Sequence, residues 1–205
     1  MAWLQGVDLA RVAKNMAAAL SVLDSQRPQD AARRYRPGVG PLPETELLAR
    51  LLPILKSSHP AAYAQAEPRT YPGSRRDCDL VIPGSWAIEC KLARPYGDNG
   101  RPAERWSENV LYPYPGNTSC IGDCLKLLES RFTERKAIIV FGYEHTPPKI
   151  PLEPALASFE LIADQVVGIQ LSPRIDVSIP GLIHPVHQQA RILAWEVLER
   201  RPPVA

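Results

Sequence analysis

The chain has 205 residues, 45% of them hydrophobic and 22% charged, the make-up of a globular domain able to bury its own core. A net charge of +2 is too small to assign a nucleic-acid partner from bulk charge, so local clusters must supply any such contact. Proline, at 22 residues, is about twice its usual share and predicts rigid loops rather than disorder, because apolar periodic segments persist between the prolines.

Leu9, Val12, Met16, Leu20 and Leu23 recur at spacings of three and four, which predicts an amphipathic helix over residues 7–25. "RPQDAARRYRPGVGPLP" then breaks the pattern, with a linker near residues 37–43. Residues 1–36 are therefore read as an N-terminal helical extension and residues 37–205 as the main domain. A second helix starts at Pro43, with Leu47, Leu48, Leu51, Leu52 and Leu55 on one stripe and Pro53 expected to kink or shorten it. "SSHPAAYAQAE" adds one or two turns. Residues 75–93 read as two short strands around Pro83-Gly84-Ser85, and a long Pro- and Gly-rich segment follows, with Tyr96, Trp106, Tyr112 and Tyr114. Thr118 or Ser119 caps a helix running to about Glu134, with Ile121, Cys124, Leu125, Leu128 and Phe132 facing inward. "KAIIVFGYE" has the length and continuous apolarity of a strand covered on both faces. A helix near residues 152–165 and a strand near 166–171 follow, and "ARILAWEVLER" fits either a strand or a helix. The order predicts an α/β domain, a mixed central sheet flanked by helices.

The hairpin carries the chemistry. Alternation puts Cys78, Leu80 and Ile82 on one face with Ile88, Cys90 and Leu92, and Asp77, Asp79 and Val81 on the other with Ala87, Glu89 and Lys91. With Gly84 at the apex of a three-residue loop, Asp79 stands opposite Glu89 and Asp77 opposite Lys91. Facing carboxylates repel, and a divalent cation resolves the repulsion, since Mg²⁺ is commonly held by one or two carboxylates with water and phosphate oxygens. A lysine on the same face can orient a water or offset charge in a phosphoryl transition state.

At these residues the sequence resembles the PD-(D/E)xK nuclease superfamily, which includes many restriction endonucleases. Asp79 matches the first acid and Glu89-Cys90-Lys91 the Glu-x-Lys end, while Cys78 stands where the family usually has proline. The resemblance implies a restriction-endonuclease-like fold with an αβββαβ core over about residues 44–143, in which only two strands before the second helix are clear and a third is expected near Arg69 to Tyr71, if present. It implies catalysis by Asp79, Glu89 and Lys91, with Mg²⁺ (Mn²⁺ as a substitute) on Asp79, Glu89 and the Cys90 carbonyl. It also makes Glu44, in the first turn of the second helix, a candidate third ligand, against the plainer view of a favourable acid at a helix N-terminus. Asp123 and Lys126 are candidate nucleic-acid contacts by resemblance, or an i,i+3 surface ion pair.

Arg75 and Arg76 directly precede the acidic hairpin and are candidate phosphate contacts, and Arg33 to Arg36 ("RRYR") form a second basic cluster. The four cysteines lack CxxC spacing and read as buried small residues rather than zinc ligands, and "HPVH", His184 to His187, lacks a third metal partner. No apolar run nears the ~18 residues that span a bilayer. The start lacks the features of a secretory leader, so a cytoplasmic protein with no membrane partner is expected. The expected activity is Mg²⁺-dependent DNA cleavage in restriction, repair or defence, by a homodimer or a subunit of a larger complex. The alternative is a catalytically silent nuclease-fold protein that binds nucleic acid or serves in an assembly.

Overall fold

The computed structural model describes residues 6–27, 37–112 and 119–201. Arg33 to Arg36, Tyr114 and Thr118 lie outside the described residues. Seven strands form one sheet between two helical layers. The elements are α1 (Leu9–Ser25), α2 (Glu44–Ser58), α3 (Pro60–Tyr63), β1 (Glu67–Thr70), β2 (Asp77–Ile82), β3 (Trp86–Ala93) and α4 (Glu108–Leu111). They continue with α5 (Cys120–Glu129), β4 (Arg135–Glu144), α6 (Glu153–Leu161), a π-helical turn (Ile162–Val167), β5 (Ile169–Leu171), β6 (Ile175–Pro180) and β7 (Gln189–Arg200). The strand order is β1-β2-β3-β4-β7-β5, with β6 also on β7. β3 and β4 are parallel, joined through α5, and every other pair is antiparallel.

Period-two alternation explains why the sheet is buried on both sides. On β3, Trp86, Ile88, Cys90 and Leu92 join Ile139, Phe141 and Ile192 against α1 and α2. Ala87 and Ala93, with Ile138, Val140 and Trp195, pack against α5 and α6. Glu89 and Lys91 therefore project into the α5 layer. α1, capped by Asp8 accepting from the Arg11 N–H at 2.7 Å, belongs to the same apolar layer as α2.

Several expectations meet their elements. The third strand is β1, short and bulged, at Glu67–Thr70. "KAIIVFGYE" is β4, and Ser119 is the cap of α5, accepting from the Gly122 N–H at 3.2 Å. Others shift for identifiable reasons. α2 runs through Pro53 to Ser58, because the carbonyl that Pro53 leaves without a donor, on Ala49, faces solvent. α5 stops at Glu129, where Ser130 turns extended and its hydroxyl donates to the Leu127 carbonyl at 2.6 Å. Its fully buried leucine is Leu127, with Leu125 and Leu128 only partly covered. "ARILAWEVLER" becomes strand because β4 on one side and β5 and β6 on the other saturate its backbone. β6, short and bounded by Pro173 and Pro180, is a strand beyond those expected from the sequence.

The hairpin register is as expected: Leu80 pairs with Ile88, Val81 with Ala87 and Ile82 with Trp86, leaving Pro83-Gly84-Ser85 as the loop with Gly84 at φ 69°. The face of Cys78 is not. Between Val81 and Cys78 the β1–β2 pairing slips by one residue, a bulge that turns Cys78 into the α5 layer while Leu80 stays with α2. Cys90 packs in the opposite layer from Cys78, Cys120 and Cys124, and all four are buried free thiols.

Candidate active site

The site forms where β2 parts from β3. Paired residues end at Leu80 and Ile88, so the next β3 N–H groups facing that edge, on Cys90 and Leu92, lack a strand partner. Carboxylates take their place. Asp79 Oδ2 accepts from the Cys90 N–H at 2.8 Å, and Glu44 Oε2, reaching round from the first turn of α2, accepts from the Leu92 N–H at 3.1 Å. The splayed strand edge gathers two acids for a backbone reason.

The other two acids come from β3 and α5. Glu89, 2% exposed, sits beside Asp79, whose charge acts on it. Asp123, also 2% exposed, lies between two lysines: Lys91 Nζ is 2.7 Å from its Oδ2 and Lys126 Nζ 3.0 Å from its Oδ1. Apart from Lys91, nothing among the described residues serves that Oδ2. Lys91 also pairs with Glu44 at 3.5 Å and donates to the Cys90 carbonyl at 3.1 Å. Lys126 reaches Glu89 Oε1 at 2.7 Å. Tyr71, the residue after β1, donates its hydroxyl to the same Oε1.

Electrostatics follow from this packing. Burial, then the neighbouring Asp79, pushes the Glu89 carboxyl up to about 8, against the pull of Lys126. Burial also raises Glu44, partly offset by Lys91. Burial alone would lower the Lys91 ammonium, but Asp123 and Glu44 outweigh it and hold it above its ordinary value. Lys91 is therefore a fixed positive charge and a poor proton acceptor. Four carboxyls against two ammonium groups leave the fully ionised cluster two negative charges in excess.

Asp79, Glu89, Lys91 and Glu44 thus converge, and Asp123 and Lys126 converge with them. Asp123 is not a surface group: buried between the lysines, it anchors them and cannot present itself to a ligand. Arg75 and Arg76 are exposed in the turn between β1 and β2. Asp77 stays apart, its carboxylate taking the Thr70 hydroxyl at 2.7 Å. Glu46 is solvent-facing, paired with Arg50 at 2.7 Å. Trp106 is partly buried against the α5 layer rather than free to stack, and His184 and His187 are buried, stacked on each other at 4.7 Å. No sequence pattern singles out Tyr71, since one tyrosine after a short strand carries no periodic mark.

Among the described residues no group of three or more His, Cys, Asp and Glu side chains is placed to hold a metal ion. A cation here would rest on Asp79 and Glu89 alone among side chains. The donor set suits one: hard oxygens, two carboxyls brought together, and more carboxyls than ammonium groups, with Mg²⁺ able to draw its remaining ligands from water and substrate. The Cys90 carbonyl is engaged by Lys91, so it would join such a set only if that ammonium moved. No helix among the described residues is long and apolar enough to cross a membrane. No family model, no curated protein and no solved structure matches this chain.

Proposed function

We propose that the protein is a metal-dependent nuclease of the PD-(D/E)xK type that cleaves phosphodiester bonds in DNA. The observation that carries this reading is the meeting of the Asp79 and Glu89 carboxyls beside Lys91 on an open strand edge. The element order supports it: among the described residues from Glu44 to Glu144 the main elements run α2, β1, β2, β3, α5, β4, an αβββαβ sequence interrupted there only by the single-turn helices α3 and α4. Asp79 and Glu89 are the residues that would hold Mg²⁺ or Mn²⁺, with Glu44 at the rim. When bound, such an ion supplies Lewis-acid polarisation of the phosphate and an acidified water. Lys91, kept charged by Asp123 and Glu44, offsets charge developing on the phosphoryl oxygens. Arg75 and Arg76 contact backbone phosphates without reading sequence. Two cuts in a duplex call for two such sites, hence a homodimer or a larger assembly.

Supercoiled plasmid tests the proposal. Nicking or linearisation is expected with Mg²⁺ or Mn²⁺, and its loss in Glu89→Ala and Lys91→Ala; variants cutting like wild type would show the site is elsewhere. One observation favours a silent, DNA-binding protein instead: Lys126 and Tyr71 already engage Glu89, so the cluster is partly neutralised without a cation. DNA binding without cutting under any cation would decide for that alternative.

A further inference from the structure

One oxygen of the Glu89 carboxyl is already engaged. Glu89 Oε1 accepts from the Tyr71 hydroxyl and from Lys126 at 2.7 Å. The Lys126 ammonium stands 5.3 Å from the Tyr71 ring centroid, a distance at which the ring face attracts a cation. Phe132 packs against the same ring at 5.1 Å between centroids. Tyr71 thus contacts both members of the Glu89–Lys126 pair.

Tyr71, itself buried, is also bonded through its main chain to an exposed turn. Its backbone N–H donates to the Arg76 carbonyl at 2.9 Å, and its carbonyl accepts from the Ser74 N–H at 2.9 Å. The turn that carries the exposed Arg75 and Arg76 is therefore bonded to the main chain of Tyr71 itself. A phosphate drawing on those arginines acts through one hydrogen bond on the residue that occupies Glu89.

We propose that Tyr71 is a positioning residue that latches Glu89 in the substrate-free protein, and that phosphate contact at Arg75 and Arg76 releases it for the cation. This rests on the nuclease reading above. The latch couples two ligands: DNA tightens cation binding, and the cation tightens DNA binding by the same factor. It favours the loaded site in the substrate-bound protein.

Calorimetric titration of Ca²⁺ into the full chain, with and without a short DNA duplex, tests the latch. For wild type, the duplex is expected to tighten Ca²⁺ binding about tenfold, within the usual range of such couplings. Tyr71→Phe keeps the ring packing and loses the hydroxyl; it is expected to bind Ca²⁺ about tenfold more tightly without DNA and to gain little from the duplex. The Arg75→Ala/Arg76→Ala variant is expected to gain nothing in Ca²⁺ affinity on addition of the duplex. Equal Ca²⁺ affinities for wild type and Tyr71→Phe without DNA would overturn the latch while leaving the nuclease reading standing. Absence of Ca²⁺ binding in wild type and Tyr71→Phe, with and without the duplex, would overturn the nuclease reading itself.

Discussion

Asp79 accepts the backbone N–H of Cys90 at 2.8 Å, standing in for the strand that has just turned away. The same carboxyl borders Glu89, so one side chain serves the fold with one oxygen and the candidate cation site with its charge. These two roles are separable.

Asp79→Asn retains an oxygen for the Cys90 N–H and removes the like charge beside Glu89. Its thermal midpoint is expected to equal or exceed that of wild type without metal, while plasmid cleavage falls by about a hundredfold or more, as for loss of a key electrostatic group. Asp79→Ala leaves the N–H without a partner and is expected to lose about 1–3 kcal/mol in urea denaturation. A large loss of stability in Asp79→Asn would mean that the cap needs the charge.

The raised Glu89 carboxyl makes stability depend on pH in a definite sense. Folded Glu89 keeps its proton up to about 8, whereas the unfolded carboxyl releases it near its ordinary 4.5. The folded state binds more protons between these limits, so the Glu89 contribution is full below about 4.5 and is lost as pH rises through about 8. Wild type should therefore lose more stability between pH ~5 and pH ~8.5 than Glu89→Gln does, by a few kcal/mol at most. Parallel stability-against-pH curves would refute this origin.

Lys91 and Asp123 form a buried pair at 2.7 Å, and removing one partner strands the other. Asp123→Ala or Lys91→Ala alone is expected to cost about 3–5 kcal/mol. Replacing the pair together, Lys91→Met with Asp123→Leu, should recover most of that loss while cleavage stays absent. A double-mutant cycle showing no coupling would place the stabilising role of these residues in other contacts.

The four cysteines are buried and free, and burial pushes the Cys78 thiol up to about 12. A thiol reagent at pH ~8 should therefore leave the native protein unlabelled and react fully only in denaturant, since thiolate is the reactive form. Rapid labelling of one thiol in the native state would point to local opening at β2 or α5.

The sequence made much of the hairpin legible because two rules act together there. A three-residue loop around Gly84 sets the register, and period-two alternation then brings Asp79 opposite Glu89. Cys78 was misassigned because a bulge adds one residue to a single strand, and nothing in "DCDLV" marks it. Lys91 beside Glu89 follows from alternation, but its grip by Asp123 depends on how α5 docks, which no local pattern encodes. Glu44 was identifiable only through resemblance, since its role on the Leu92 N–H exists only where β2 has splayed away. "ARILAWEVLER" satisfied both periodicities, and its neighbours in the sheet decided between them.

The parallel pairing of β3 with β4 has a consequence for biogenesis. β3 carries Glu89 and Lys91, yet its partner strand is reached only after α5 has crossed over the sheet. Glu44 and Asp123, the two acids that grip Lys91, come from opposite ends of this stretch of chain. A nascent chain released as far as β3 holds the hairpin without Asp123 or Lys126, and so has neither the anchor of Lys91 nor the lysine on Glu89. The charged cluster is completed only when the crossover helix seats and brings Asp123 and Lys126 to the acids and lysine already on the hairpin.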